Sequence, residues 1–272
     1  FSFQYGILEA SVKIPKTADG LWPALWLLGS DYPEKSWPAC GEIDILEMGH
    51  RDGIVSGIQD RLFTGAAHWG PVQNDGSHPN YAIHRTNLYG LQYGDFHLFT
   101  LVWDERSIKM YLDRDKVSVR DQSGQPIQNP PADSPSDSRP VITADMKPYF
   151  EMVITPEQEP YFRKPFFIVL NLAAGGNFTG IFTVDGVSAL NRGNSNQASM
   201  YIDYIRVYNN SGALVFNEDF NSSRINTRVW NIEENDDGGG NRELQSYRRR
   251  NVQIDKDRVS GKSCLVLTAR KE

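Results

Sequence analysis

The chain contains 272 residues, of which 39% are hydrophobic and 23% are charged, and it includes 23 Gly, 15 Pro and 2 Cys. This length fits one large β domain or two small domains, and the composition excludes a wholly disordered chain. The formal net charge of −6 argues against a nucleic acid as the partner. No apolar run reaches the roughly 18 residues that span a bilayer. The sequence also lacks a charged and then apolar leader, so we expect a mature chain without a membrane span.

Strand patterns dominate the chain. Residues 3–14 alternate apolar and polar side chains, as a half-buried strand does. Similar runs near turn-forming residues are 99–103, 108–112, 166–172, 201–208 and 264–269. No run of a dozen residues keeps the apolar spacing of an amphipathic helix. Many antiparallel strands at short spacing predict an all-β sandwich or jelly roll.

Two features bear on domain organisation. Prolines concentrate in residues 122–140, which excludes an inner strand and predicts a long surface loop. A linker between domains is the alternative, but strand patterns on both sides favour an insertion within one domain. Cys40 and Cys264 could form one disulfide, and their spacing alone leaves this open.

The segment GEIDILE, residues 41–47, concentrates three acidic side chains among apolar ones. In a regular strand Glu42 and Asp44 share a face, while Glu47 points to the other face. One inserted residue at the pair Ile45 and Leu46, a β-bulge, would return Glu47 to the face of the other two acids. The sequence therefore predicts three carboxyl groups on one face of a bulged strand.

Such a row of carboxyl groups is costly, because neighbouring like charges raise one another's pKa. Glycoside hydrolysis needs this arrangement, with one carboxylate that attacks the anomeric carbon and one acid that protonates the leaving oxygen. Four strand steps separate the two glutamate Cα atoms by about 13 Å. Both side chains must therefore lean inward to reach the roughly 5–5.5 Å of retaining enzymes. An edge strand with scattered acids, or a cation site, remains the alternative.

At this point the sequence resembles glycoside hydrolase family 16, the laminarinase-like enzymes. GEIDILE is similar to the bulged form of the family motif, and YGILEASVKIPKTADGLWPALWLL (residues 5–28) is similar to the segment before it. FFIVLNLAAGGNF (166–178) and MYIDYIRVY (200–208) resemble the closing strands. The resemblance implies a concanavalin-like jelly roll, with two curved antiparallel sheets and a substrate cleft on the concave face.

The order of the segments departs from the family. MYIDYIRVY is normally the last strand, yet residues 214–272 follow it and resemble the family's beginning, with GGGNRELQSY (238–247) among them. The chain therefore looks like one circularly permuted catalytic domain, residues 1–272. Residues 1–208 match the family's middle and C-terminal part, and residues 209–213 form the joint. A further family segment, with a sugar-contacting arginine, is absent from the sequence.

The resemblance assigns catalytic roles. Glu42 is the expected nucleophile, Glu47 the general acid/base, and Asp44 the partner that hydrogen-bonds the nucleophile, in a double displacement with retention. His68 is expected beside the acid/base, although a lone histidine is more often a core residue. No catalytic cofactor is implied.

Sugar-contacting and metal-binding residues are also implied. Seven aromatic, amide or acidic side chains are predicted to contact sugar: Trp22, Trp26, Trp37, Trp69, Asn171, Asn241 and Glu243. Trp26 is the favoured wall of a subsite, since an indole face stacks on a pyranose, whereas Trp22 could equally belong to the core. One structural Ca²⁺ is expected on Asp203 and on backbone oxygens near Glu218 and Gly261.

The leading hypothesis is an endo-acting β-glucanase on β-1,3-glucan or mixed-linkage β-1,3/1,4-glucan. A related galactan or agarose hydrolase is the alternative among enzymes, and a non-catalytic carbohydrate-binding sandwich is the alternative of another class. The intact set Glu42, Asp44 and Glu47 disfavours the binding protein. A polysaccharide substrate implies a secreted or cell-surface protein, and a monomer is the expected state.

Overall fold

Fourteen β-strands and three short α-helices follow one another in the computed structural model, which describes residues 1–15, 20–87, 95–113, 140, 142–191, 198–236 and 238–271. The first seven strands are β1 (Ser2–Phe3), β2 (Gly6–Lys13), β3 (Leu21–Gly29), β4 (Glu42–Met48), β5 (Phe63–His68), β6 (Tyr81–Thr86) and β7 (Phe96–Trp103). The other seven are β8 (Ser107–Leu112), β9 (Phe150–Val153), β10 (Phe166–Ala174), β11 (Ser199–Tyr208), β12 (Leu214–Glu218), β13 (Val252–Lys256) and β14 (Ser263–Thr268). The helices are α1 (Arg51–Ser56), α2 (Glu159–Phe162) and α3 (Gly176–Thr179).

The strands form two antiparallel sheets. Sheet A has the order β1-β10-β3-β4-β5-β6. Sheet B has the order β13-β14-β11-β2-β7-β8-β9, and β12 also pairs with β11. This arrangement is a jelly-roll β-sandwich, so the predicted fold class is confirmed.

The sequence-predicted strands are confirmed as well. Residues 3–14 contain β2, and the other five predicted runs coincide with β7, β8, β10, β11 and β14. Within the described residues the longest α-helix has six residues, and none has the length and apolar character needed to span a bilayer. The loop predicted over 122–140 lies outside the described residues, apart from Pro140.

The core lies between the two sheets and holds β4 in place. Ile43, Ile45 and Leu46 of β4 are fully buried, and they pack in the same cluster as Phe99 and Trp103 of sheet B. Because side chains alternate along a strand, the acidic residues of β4 turn away from this core. Sheet A therefore presents them on its other face, called the cleft face below.

The C-terminal part of the chain is built into sheet B. Strand β14 pairs with both β11 and β13, and a tight turn at residues 209–213 joins β11 to β12. In this turn the Asn209 N–H donates to Ala213 O over 2.9 Å, and Gly212 adopts a φ of 87°. Such a φ favours glycine, which lacks a Cβ.

Both cysteines are buried and free. The disulfide that the sequence left open between Cys40 and Cys264 is therefore not formed.

Candidate active site

The predicted β-bulge is confirmed at Ile45 and Leu46. In the pairing with β5, Asp44 lies opposite Ala66 and Glu47 lies opposite Thr64, so two residues of β4 face the single residue Gly65. The pairing with β3 shifts at the same point. Because of the inserted residue, the side chain of Glu47 returns to the cleft face beside Glu42 and Asp44.

The three carboxyl groups are close enough to influence one another. Burial raises the pKa of Glu42, Asp44 and Glu47, and the charge of Glu47 raises the pKa of Glu42 further. Asp44 shares a side-chain hydrogen bond with Glu42, which raises the pKa of the buried Asp44 and lowers that of Glu42. The cluster can hold an ionised carboxylate beside protonated acids, which is the combination that a nucleophile and a general acid require.

Glu47 has its own partners. The indole Nε1–H of Trp22 donates to Glu47 Oε1 over 3.1 Å, and the Trp22 ring stacks on Phe178 with a centroid distance of 4.3 Å. Burial raises the pKa of Glu47, while the Trp22 hydrogen bond and the charge of Arg85 lower it. Trp22 therefore lies beside the expected acid/base.

Arg85 is a site residue that the sequence analysis missed. It lies opposite Thr64, which lies opposite Glu47, so the three residues form one row across sheet A. The segment YAIHRT of β6 has no apolar and polar alternation, so its sequence carries no signal that would have placed Arg85 on the cleft face. An exposed guanidinium at the edge of the sheet supplies positive charge near the expected acid/base.

His68, which the sequence predicted near the acid/base, lies beside Glu42 and Asp44. Its Nε2 is 3.5 Å from Asp44 Oδ2 and 4.0 Å from Glu42 Oε1. The reason is the register, in which His68 at the end of β5 lies opposite Glu42. Burial and the neighbouring His78 lower the pKa of His68 to about 4, so the imidazole is neutral at neutral pH.

Trp37 and Trp69 occupy different environments. Trp37 makes a side-chain hydrogen bond to Glu42, and its ring lies 4.5 Å from His78 and 5.9 Å from His68. The ring of Trp69 instead packs edge-on against Phe162 of the core, at 5.8 Å. These contacts favour a site role for Trp37 and a structural one for Trp69.

Trp26 and Asn171 form one hydrogen-bonded unit on the cleft face. Trp26 lies opposite Asp44, and its Nε1–H donates to Asn171 Oδ1 over 2.7 Å. Asn171 Nδ2 donates to the hydroxyl of Tyr247 over 3.3 Å. The amide of Asn171 thus holds the Trp26 ring, and Tyr247 is a further partner that the sequence did not single out.

The glycine-rich loop of residues 238–247 packs on the end of β10. Asn177 N–H donates to Asn241 O, and Leu244 N–H donates to Ala174 O, each over 2.8 Å. The carboxylate of Glu243 accepts from Gly239 N over 2.7 Å and from Asn241 Nδ2 over 3.2 Å. A Cβ on Gly239 would lie 2.8 Å from Glu243 Oε1, so glycine here makes room for Glu243. Both predicted sugar contacts, Asn241 and Glu243, therefore help to build the loop itself.

The predicted calcium residues have other partners. The carboxylate of Asp203 accepts from Lys262 Nζ and, over 3.3 Å, from Ser11 Oγ. The carboxylate of Glu218 accepts from Phe220 N–H over 3.2 Å and from Trp230 Nε1–H over 3.3 Å, and Gly261 N–H donates to Asp257 O. An ammonium group thus stands where calcium was expected. A calcium ion at Asp203 would therefore have to displace the Lys262 ammonium.

Among the described residues, the group with the spacing of metal ligands is Glu42, Asp44 and His68, whose ligand atoms lie within 4.8 Å of one another. These are the residues expected to carry out catalysis. The cation site that the sequence kept as an alternative would therefore coincide with the candidate active site.

Fold and site together define a jelly-roll sandwich with paired acidic side chains on the open face of one sheet. A profile of the glycosyl hydrolases family 16 matches residues 1–137. The chain belongs to glycoside hydrolase family 16.

Relatives and solved structures agree with this family. "Glucan endo-1,3-beta-glucosidase A1" of Niallia circulans is 31% identical over 214 residues, 76% of this chain and 24% of the relative. "Beta-1,3-glucan-binding protein" of Penaeus monodon is 31% identical over 196 residues, 70% of this chain and 47% of the relative. The chain thus spans about a quarter to a half of these relatives. A Bacteroides ovatus family 16 structure from a mixed-linkage glucan locus, in complex with a G4G4G3G product, has a TM-score of 0.56 at 31% identity, covering 76% of this chain and 70% of that one.

Proposed function

We propose that this protein is a retaining endo-β-glucanase that hydrolyses β-1,3-glucan or mixed-linkage β-1,3/1,4-glucan. The observation that carries this function is the bulge of β4, which brings Glu42, Asp44 and Glu47 to one face. A relative named as a glucan endo-1,3-β-glucosidase and a similar structure with a glucan product support the substrate class.

The reaction follows from the two glutamates. The Glu42 carboxylate attacks the anomeric carbon while Glu47 gives its proton to the leaving glycosidic oxygen, so that the glycosidic bond breaks and a glycosyl ester forms. Glu47, now ionised, takes a proton from water. The resulting nucleophile attacks the anomeric carbon and releases Glu42, so the configuration is retained after two inversions. Asp44 hydrogen-bonds Glu42 and helps to set its protonation, and no cofactor takes part.

Product analysis on laminarin and, in parallel, on barley-type mixed-linkage glucan tests this function. We expect short oligosaccharides with the wild type, and none with a Glu42→Ser variant. Glu157→Gln is the matched control, because Glu157 is exposed and lies in the turn between β9 and α2. The relative rates on the two polymers identify the preferred linkage.

The alternatives are outcomes of the same test. If a folded sample cleaves neither glucan, the β-glucanase is refuted and galactans are tried next. A relative named keratan-sulfate endo-1,4-β-galactosidase, 26% identical to this chain, is the reason for that order. Binding to laminarin without products at any enzyme concentration would instead match the relative named as a β-1,3-glucan-binding protein.

The location of the protein follows from its substrate. A glucan polymer does not enter cells intact, so the protein acts outside the cell or at its surface. Fractionation of the source cells, with immunodetection in the medium, the envelope and the cell interior, tests this location. Signal confined to the cell interior would refute it.

The chain is a single, monomeric domain in circularly permuted order. This organisation is supported by the pairing of β14 with β11 and by the tight turn that joins β11 to β12. A variant that opens the chain within residues 209–213 and joins residue 272 to residue 1 through a Gly/Ser linker restores the family order. It should fold and keep its hydrolytic activity, and light scattering should give the mass of one chain. Failure to fold would count against the permuted order.

Calcium at Asp203 requires one rearrangement. The Lys262 ammonium must leave the carboxylate, which its side chain can do because 44% of it is exposed. Thermal denaturation in CaCl₂ and in EDTA tests the ion, with Lys262→Met as the variant that frees Asp203. We expect calcium to raise the melting temperature of both proteins, and more so in Lys262→Met. If each protein melts at the same temperature in CaCl₂ as in EDTA, the site is refuted.

A further inference from the structure

The bulge leaves one backbone residue without a place in either ladder. Ile45 has no partner in the register of β4 with β3 or with β5, because Leu46 pairs with Leu25 and the pairing resumes at Glu47. The side chain of Ile45 is fully buried in the core. A buried backbone carbonyl needs a hydrogen-bond donor, since an unpaired one is costly.

Tyr149 provides that donor from the opposite sheet. Its hydroxyl donates a hydrogen bond to the carbonyl oxygen of Ile45. Tyr149 directly precedes β9, and its own N–H donates to Met110 O over 2.8 Å, so its backbone belongs to sheet B. The ring is 6% exposed and packs edge-on against Phe63 at 4.9 Å. The phenol thus crosses the space between the sheets to reach the bulge.

Gly65 makes room for the ring. It is the single residue of β5 that faces the bulge, and a Cβ at this position would lie 2.9 Å from Tyr149 Cε2 and 3.0 Å from Phe150 Cβ. A side chain on Gly65 would therefore push the Tyr149 ring away. The bulge, the glycine opposite it and the phenol form one interlocked unit.

We propose that Tyr149 is a positioning residue that fixes the carboxyl group of Glu47 through the bulge. The inference rests on the proposed function, in which Glu47 is the general acid. The anchored carbonyl of Ile45 lies two residues before Glu47, so it fixes the backbone from which the acid reaches the leaving oxygen. Without the hydroxyl the bulge can relax, and a displacement of about 1 Å can cost roughly 100-fold in rate.

The test compares Tyr149→Phe with Tyr111→Phe. Each variant removes one hydroxyl and keeps the ring, and both tyrosines are 6% exposed. Tyr111 lies on β8 of sheet B next to Met110, whose side chain reaches Gly65, so by strand alternation Tyr111 faces away from the bulge. Two substrates are used: laminarin, or the preferred glucan, and the 2,4-dinitrophenyl β-glycoside of laminaribiose. The dinitrophenolate departs without a proton, so its release does not need the general acid.

We expect Tyr149→Phe to lower kcat/KM on the glucan about 10- to 100-fold and to leave kcat/KM on the dinitrophenyl glycoside within about twofold of the wild type. Tyr111→Phe should change neither value. An equal loss on both substrates would mean that the hydroxyl only supports the fold, and an unchanged rate on the glucan would mean that it positions nothing. Either result overturns the inference.

A failure of the proposed function can be distinguished from a failure of the inference about Tyr149. A wild type that cleaves neither substrate refutes the β-glucanase. Hydrogen exchange of the backbone amides in residues 42–48 then decides the role of Tyr149. Faster exchange in Tyr149→Phe than in Tyr111→Phe supports the anchoring of the bulge, and equal exchange refutes it.

Discussion

Glu42 and Glu47 should differ in what azide can restore after each is removed. In Glu47→Ala the nucleophile remains, so a dinitrophenyl glycoside still forms the glycosyl ester, and azide attacks it without needing a base. The product is the β-glycosyl azide. In Glu42→Ala azide takes the place of the missing nucleophile, and the product is the α-glycosyl azide. On the glucan itself, Glu47→Ala should lose about 10²–10⁴-fold in rate.

Proton NMR of the azide products checks this assignment, and Glu157→Gln with azide is the control that should give only hydrolysis. An α-azide from Glu47→Ala together with a β-azide from Glu42→Ala would exchange the two roles.

Trp22 should set the upper end of the pH profile. Burial raises the pKa of Glu47, and the indole N–H of Trp22 lowers it by donating to the charged carboxylate. Trp22→Phe removes this donor and keeps an aromatic ring, so the pKa of Glu47 should rise. The alkaline limb of kcat/KM, where the acid loses its proton, should then move up by about one pH unit, the value of a hydrogen bond to a charged group.

The measurement is kcat/KM against pH for the wild type, for Trp22→Phe and for Trp230→Phe. Trp230 is the matched control because its Nε1–H also donates to a carboxylate, that of Glu218, which lies outside the cleft face. If the alkaline limb of Trp22→Phe stays in place or moves down, the hydrogen bond from Trp22 does not lower the pKa of Glu47.

At the scale of the element, the bulge should be sensitive to crowding from Gly65. A Cβ there meets Tyr149 at 2.9 Å and Met110 Sδ at 3.1 Å. Gly65→Ala should therefore destabilise the protein by about 1–3 kcal/mol and lower its activity as well, because the crowded ring carries the hydroxyl that anchors Ile45. Urea unfolding and the rate on glucan measure the two effects.

Gly57→Ala is the control for that variant. Gly57 ends α1 with a φ of 68°, and a Cβ there would meet nothing within 4 Å. The alanine costs about 1 kcal/mol through backbone strain, and the activity should stay unchanged. A similar loss of activity in both variants would attribute the effect of Gly65→Ala to stability alone.

Periodicity predicted most of the strands but says nothing about their partners. Alternation gave β2, β7 and β11, because half-buried strands repeat every second residue. The bulge was also predictable, since three acids can share a face only if one residue is inserted between Asp44 and Glu47.

The sequence could not predict the contact between the two sheets at Tyr149 and Ile45. Tyr149 lies 104 residues from Ile45 along the chain, and nothing local distinguishes it from any buried tyrosine. The position of His68 depends on register for the same reason. A pairing register is fixed by the turns and the packing of both strands together, so a motif alone does not specify which carboxyl groups His68 contacts.

At the scale of the whole molecule, the cleft depends on the segment after residue 213. The loop of residues 238–247 bonds to the end of β10, and Tyr247 holds Asn171, which in turn holds Trp26. The same segment also contributes strands β13 and β14 to sheet B. Interactions that fasten this segment to the rest of the domain should therefore stabilise fold and cleft together.

Lys13 and Asp257 form one such interaction. Lys13 of β2 donates to Asp257 Oδ1 over 2.5 Å, and Asp257 accepts from Ser260 N over 2.8 Å in the turn between β13 and β14. Burial alone would raise the pKa of Asp257, but the bonds from Lys13 and Ser260 outweigh it and lower the pKa to about 2. An unfolded aspartate titrates near pH 3.9, so the lowered pKa contributes about 2.5 kcal/mol to stability. This contribution is complete above about pH 4 and is lost as the pH falls to about 2.

Asp257→Asn should therefore lower the free energy of unfolding by about 2–3 kcal/mol at pH 7 and by much less at pH 2, because there about half of the wild-type carboxylate is protonated and most of its contribution to stability is lost. Urea unfolding at a series of pH values measures the difference between the two proteins. Asp185→Asn is the control, since Asp185 pairs with Lys271 while its side chain is 90% exposed, and a pair in water contributes little. A deficit for Asp257→Asn that is the same at pH 2 as at pH 7 would mean that the aspartate acts by packing. Its charge would then have no part in fastening the C-terminal segment to β2.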